Sequence, residues 1–227
     1  MTASLGAMTL PSWASHLEYK LAPPPLLLVQ AFVNTLDLEQ GTDVLARPPG
    51  ARAWLADAGL ADAGLAGSGL ADPGLADPGS DDAGPAGVGP EPELAGLQLA
   101  REVRESIRAL IACNTGGGPL TESELRPLRQ VALDAPPRLE TAAGGEIRLI
   151  TADPGHPVTG GLAGLLVTIR DAQRDGSWRR LKLCGNPDCR WVFYDRSHSR
   201  QGAWCDMASC GNRLKNRNLR ARRAQAG

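Results

Sequence analysis

The chain has 227 residues, 42% apolar but only 4% aromatic, enough for one ordinary domain or a domain plus a small module. The net charge of -1 hides a division: residues 176–227 hold 12 Lys/Arg against 3 Asp/Glu, a net of +9, and residues 1–175 a net of -10, so the basic end is a candidate for a polyanion. The longest early apolar run, Leu26–Val29, is too short for a bilayer span, no basic cluster precedes it as in a secretory signal, and four of five cysteines fall in the last 44 residues, which suits a metal site in a cytoplasmic protein better than a secreted disulfide scaffold.

Residues 1–22 show no firm pattern and are expected to be loose. Pro23–Pro25 then introduce a helix over Leu26–Leu38, with Leu28, Val29, Phe32, Val33 and Leu36 on its apolar stripe and Gln30, Asn34 and Asp37 off it. A second helix is expected from Pro48, suited to a first turn, through Trp54. From Leu55 leucine and glycine recur every five residues, a period that fits neither helix nor strand. A pentapeptide solenoid shares that period, but small residues stand where it needs large ones, and Pro73 and Pro78 remove backbone donors. The region, about 57–91, is expected to be a flexible Ala/Gly/Asp/Pro insertion.

Order resumes near Pro92. Leu94, Leu97, Val103, Ile107, Leu110 and Ile111 predict an amphipathic helix that ends at Asn114 before Gly116–Gly118, with Cys113 a small core residue in the stripe. Thr121 and Glu124 form a capping box for a helix to about Leu133, with Pro127 awkward inside it. Arg138–Thr141 and Glu146–Thr151 flank Gly144-Gly145 as a β-hairpin. Leu162, Leu165, Leu166 and Ile169 mark a helix to about Arg174, and Arg180–Leu183 alternates as a short strand. The fold class is α+β: a mainly helical domain with a small sheet over 23–175, then a small module over 176–227.

Cys184, Cys189, Cys205 and Cys210 are arranged C-x4-C-x15-C-x4-C. Two close pairs joined by a loop suit one tetrahedral Zn²⁺, each pair giving two thiolates. Gly185, Asn186 and Pro187 make the first pair a turn. Residues 205 and 210 would lie about 140° apart on a continuous helix, so both reach one ion only if the helix begins between them. Asp206 is a suitable N-cap for that start. Knuckle, hairpin and helix together describe a treble-clef-like finger with one structural zinc. The alternatives are paired disulfides or a redox switch that releases zinc. His198, between the pairs, is expected to be a polar surface residue. Four thiolates close the shell, which argues against a catalytic metal.

The segment from Cys184 through Arg223 resembles the CGNR-type zinc finger of bacterial proteins. The likeness rests on Cys210-Gly211-Asn212-Arg213, on Cys184-Gly185-Asn186-Pro187-Asp188-Cys189, on Phe193-Tyr194-Asp195-Arg196-Ser197 and on Trp204-Cys205. The preceding chain resembles the ABATE domain, which carries the family label of stress-induced transcription regulator, most clearly at Ala31-Phe32-Val33-Asn34-Thr35. The resemblance implies zinc binding, DNA binding and a regulatory role.

Behind Cys210 the sequence expects a helix that turns Met207, Cys210 and Leu214 toward the zinc core. Arg213, Arg217 and Arg220 form one basic flank, Lys215 and Arg222 another, with Arg223 beyond. Such a helix can contact phosphates from both sides, and Asn212, Asn216 and Asn218 are able to read a base edge. Arg213 has a second candidate role, donating to thiolate sulfur. Trp191, Phe193 and Trp204 are expected to pack around the site rather than stack on bases. The leading reading is a zinc-stabilised DNA-binding transcription regulator whose acidic helical domain senses a signal or dimerises. The other is an adaptor whose basic finger meets RNA, an acidic protein or the chain's own acidic half. No phosphate loop, nucleophile elbow or His–carboxylate cluster supports an enzyme, and His16 and His156 are isolated.

Overall fold

A computed structural model describes residues 10–14, 20–61, 90–151, 157–213 and 217. They form an α+β structure of five helices, α1 (Leu26–Val33), α2 (Pro48–Asp57), α3 (Pro90–Ala112), α4 (Glu122–Asp134) and α5 (Pro157–Asp175). Six short strands pair into three antiparallel ribbons: β1 (Leu36–Asp37) with β2 (Thr42–Asp43), β3 (Arg138–Thr141) with β4 (Ile147–Ile150), and β5 (Leu181–Leu183) with β6 (Val192–Tyr194). None of the described helices is long and apolar enough to cross a membrane.

The apolar run of α1 is buried on almost every side, because α3 and α5 pack against it and β6 closes the remaining face. Val103, Ile107 and Ile111 of α3 and Leu162, Leu165 and Ile169 of α5 complete this core. Gly161 is required where α5 passes the end of α2: a Cβ there would run into the Leu60 carbonyl oxygen, a backbone atom that cannot swing aside. The capping box of α4 is present, with Glu124 N–H on the Thr121 side chain and Thr121 N–H donating to Glu124 Oε2 at 2.7 Å. Pro127 is buried inside α4 and leaves it continuous.

The β5–β6 ribbon is buried on both faces. Strand side chains alternate, and here the alternation divides two cores. Leu181, Leu183, Val192 and Tyr194 join the helical core, while Phe193, on the opposite face, packs among the cysteines. The ribbon is thus a shared wall, and the core runs unbroken from the helical region into the finger.

Two arginines on α3 are almost wholly buried. Arg104 meets Asp43 of β2 through two bonds of 2.6 and 3.0 Å and also reaches Thr35 and Glu105. Arg108 donates to the Val33 carbonyl at 2.7 Å, capping the end of α1, and to the Arg190 carbonyl at 3.2 Å. Burial raises the Asp43 pKa, but the hydrogen bond and charge of Arg104 outweigh it and hold the carboxyl below its usual range. A depressed carboxylate contributes stability that is full above its unfolded pKa, about 3.9, and is lost as pH falls through the lower folded value. Asp43→Asn should therefore cost about 3 kcal/mol at pH 7, since it strips a buried guanidinium of its main counter-ion, and markedly less near pH 2. Urea unfolding at both pH values checks this; an equal loss at both would show that the charge is not the cause.

Several details differ from the sequence reading. The first helix stops at Val33, not Leu38, because Asn34 turns its side chain to β6 and the Thr35 hydroxyl bonds back to the Phe32 carbonyl. The described parts of 1–22 are packed rather than loose: Ala14 and Ala22 lie in the core. Ordered structure also enters the expected insertion from both sides, with Leu60 in the core and Pro90 in α3. Residues 62–89, where the solenoid and flexible readings compete, lie outside the described residues. Cys113 is exposed, not core, because α3 gives way there to a 3-10 turn that leads it out of the apolar stripe.

Candidate metal centre

The first knuckle follows β5 directly. The Cys189 and Arg190 N–H groups both donate to the Asn186 carbonyl at 3.0 Å, folding Cys184–Cys189 into a turn that brings both sulfurs to one side. Gly185 N–H donates to the Ala203 carbonyl at 2.8 Å, which ties this knuckle to the second. Asp206 caps the turn after Cys205 by accepting from Ser209 N–H at 2.7 Å. That turn, Met207–Gly211, is wound as a π-helix, and the wider winding places Cys210 under Cys205. Gly211 sits between Met207 and Trp204: a Cβ there would stand 2.5 Å from Met207 Sδ and 3.2 Å from the Trp204 ring, so a larger residue would have to push the Met207 side chain aside.

All four sulfurs lie within 4.8 Å of one another and all four residues are buried. Cys189 Sγ is 3.8 Å from Cys205 Sγ, and Cys205 Sγ is 3.7 Å from Cys210 Sγ. A tetrahedral ion about 2.3 Å from each sulfur sets its ligands about 3.8 Å apart, so the cage has the size of a Zn²⁺ site. These separations are far beyond a disulfide bond, and all five cysteines are free. Among themselves the sulfurs cannot all carry charge. Hydrogen bonds from the Cys189 and Cys205 thiols hold Cys184 far down, and its sulfur pushes Cys189 and Cys205 up. Four thiolates at this spacing call for a divalent cation at their centre, which deprotonates its ligands outright. The protein holds one structural zinc, with Cys184, Cys189, Cys205 and Cys210 as its closed shell.

The finger's own hydrogen bonds support this cage. Asp195 is buried and accepts from Lys182 Nζ at 2.9 Å, from the Ser197 N–H and hydroxyl, and from Gly202 N–H at 2.7 Å. Burial raises its pKa, but these bonds from Ser197, Lys182 and Gly202 prevail and hold it well below the carboxylate range. Asp195 thereby fixes the loop that carries Trp204 and Cys205. Among the described side chains outside the cage, it is Asn186, whose amide lies 3.9 Å from Cys210 Sγ, and not Arg213 that approaches a thiolate; backbone N–H groups of Asn186 and Trp191 serve Cys184 and Cys189. The Arg213 guanidinium instead pairs with Glu39, across from the helical region, and Arg217 pairs with Asp188 at 2.8 Å. Asn212 donates to the Ala208 carbonyl of its own turn. Met207 is exposed rather than turned to the zinc core, because the π-helical start rotates it outward. Lys215, Asn216, Arg220, Arg222 and Arg223 lie outside the described residues, as do Leu214, Asn218, His16 and His156. His198 is at the surface, and Phe193, Trp191 and Trp204 pack around the cysteines.

The residues that join the finger to the helices carry little sequence signal. Asn34 holds β6 as a strand partner would: its amide donates to the Val192 carbonyl at 2.8 Å and its oxygen accepts from Val192 N–H at 2.9 Å. Gln30 adds a bond to the same carbonyl at 3.2 Å and accepts from Ala22 N–H. Lys20 sits 4.7 Å from the centre of the Phe193 ring and donates to the Trp204 carbonyl. Only the apolar neighbours of Gln30 and Asn34, which force both residues inward, hint at this role.

Comparison with known families places two models on the chain. One, ABATE, described as "Putative stress-induced transcription regulator", matches residues 27–172. The other, the CGNR zinc finger, matches residues 180–223 and contains all four cysteines. No curated protein matches the chain. With more than half its length covered by the first model and its metal cage inside the second, the chain belongs to the ABATE family and is a zinc-binding regulator with a CGNR zinc finger.

Proposed function

We propose that this chain is a non-catalytic, stress-related transcription regulator that binds DNA through its zinc finger and the arginine-rich segment behind it, a role in keeping with the family description. The observation that carries the reading is the distribution of charge around a fixed root. Residues 176–227 have a net charge of +9, and the Asp206-capped turn holds the start of the basic segment against the zinc cage. A closed four-thiolate shell leaves no open position for a reacting water. The two described guanidinium groups, Arg213 and Arg217, rest on exposed carboxylates. Exposed pairs are worth about 0–1 kcal/mol, so phosphates exchange for them at little cost.

The Arg213–Glu39 pair also favours a second reading, in which the basic segment docks on the chain's own acidic half and an acidic partner competes for it. One experiment separates the two. Changing Arg217, Arg220 and Arg222 together to Ala should weaken binding to every DNA sequence alike. The slope of log affinity against log salt should become shallower by about 2.7, since each phosphate contact contributes roughly 0.9. Asn216→Ala should erode preference between sequences and leave the slope in place, because base contacts carry specificity. Unchanged affinity and slope in the triple variant, with zinc intact, would remove DNA as the partner of this segment.

A further inference from the structure

Beside the zinc cage, between α3, α4 and the first knuckle, lies a cleft of about 520 Å³, within the range of small-ligand sites, about 300–1,000 Å³. Five arginines line it, Arg101, Arg104, Arg108, Arg126 and Arg190, against three glutamates. The glutamates are already engaged. Glu105 bridges Arg104 and Arg108, Glu102 accepts from Gln98, and Glu124 closes the Thr121 capping box. The arginines are not engaged to the same degree. Arg101 makes a single long hydrogen bond, 3.4 Å to the Ala46 carbonyl, and its charge is otherwise felt by Asp43, which Arg104 already holds. The Arg126 and Arg190 guanidinium groups stand exposed at the rim and make no side-chain hydrogen bond or ion pair among the described residues, although Arg190 feels the charge of Glu124. Like charge accumulates in consequence: burial pushes the Arg108 guanidinium down, Glu105 draws it up, and neighbouring Arg104 and Arg190 push it down again.

We propose that this cleft binds a small phosphate-bearing metabolite, gripped by Arg126 from α4, Arg190 from the knuckle and Arg101 from α3. Three forks that line one cleft from three elements suit the several oxygens of a tetrahedral phosphate better than a planar carboxylate, which one fork satisfies. The site is placed to inform the finger. Arg190 follows zinc ligand Cys189, its backbone is held left-handed at φ +50°, and its carbonyl accepts from Arg108. A phosphate on Arg190 therefore pulls on the turn that presents two of the four thiolates, and α3 feels the same ligand through Arg101.

Pyrophosphate is the probe, titrated without DNA into full-length, zinc-loaded protein and followed by calorimetry and tryptophan fluorescence, for which Trp191 is the adjacent reporter. Because no DNA is present, the result is independent of the DNA-binding reading. One saturable site is expected, with affinity at least tenfold weaker in Arg126→Ala, a surface change that leaves the fold and zinc content in place. Arg126→Lys should recover only part of the loss, since the fork geometry is gone. Absence of saturable binding at millimolar pyrophosphate would overturn the proposal, as would equal binding by Arg126→Ala. Succinate binding as tightly as pyrophosphate would overturn its phosphate chemistry. A variant that weakens DNA binding while the parent ignores pyrophosphate would assign the arginines to the DNA backbone instead.

Discussion

Replacing Cys205 with Ser, or stripping the metal with a chelator, should release the segment from Cys184 to Arg213 while most of the helical signal survives. The cluster around the four cysteines holds Phe193, Trp191 and Trp204 and little else. A core that small does not hold itself together, and structural zinc supplies about 10–16 kcal/mol of apparent folding free energy to comparable modules. Helices α1 and α3–α5 have their own core and should keep their far-ultraviolet circular dichroism. They should not be untouched, because β5 and β6 belong to both cores. Loss of zinc should lower the melting temperature of the remainder as well. Metal analysis, a melt and amide exchange over 184–211 check this; full exchange protection in zinc-free protein would show that the thiolate cage is not what orders the finger.

Asn34→Ala should be strongly damaging although it lies outside the cage. It removes both Asn34 bonds to Val192 and leaves a buried N–H with no partner, while Gln30 of α1 still serves the carbonyl. An unsatisfied buried group costs about 1–3 kcal/mol, so a total near 3 kcal/mol is expected once the lost packing is added. Asn34→Asp should be no better, since its second oxygen would face the Val192 carbonyl. The damage should appear twice, as reduced urea stability and as faster loss of zinc to a chelator, because the strand that Asn34 holds is the one that carries Phe193 into the metal core. A variant within about 0.5 kcal/mol of the parent would mean that α1 and the finger are not mechanically joined.

What the sequence made legible was local. The close cysteine pairs, the Asp206 cap, the Thr121–Glu124 box and the Gly144–Gly145 hairpin each depend on residues a few positions apart, and all are present. What it hid was polar and long-range. Asn34 and Val192 are 158 positions apart, and Arg104 and Asp43 are 61 apart. A helical stripe sorts residues by hydropathy, so it assigned Gln30 and Asn34 to the solvent side, although α1 has no solvent side once β6 is laid across it. The same rule carried the stripe of α3 one residue too far, to exposed Cys113. Periodicity also assumes one winding, and the π-helical turn at Met207–Gly211 broke that assumption and turned Met207 outward. The Arg213–Glu39 pair belongs to the same class, since a basic stripe read alone carries no record of the acidic residue it meets.

The most direct test of the account is DNA selection from a random pool with the intact zinc-loaded protein, repeated on the same preparation after chelation. Enrichment of a defined motif by the zinc-loaded protein, lost on chelation and restored when zinc is returned, is the predicted result. An unenriched pool, or the same motif enriched equally with and without zinc, would contradict it.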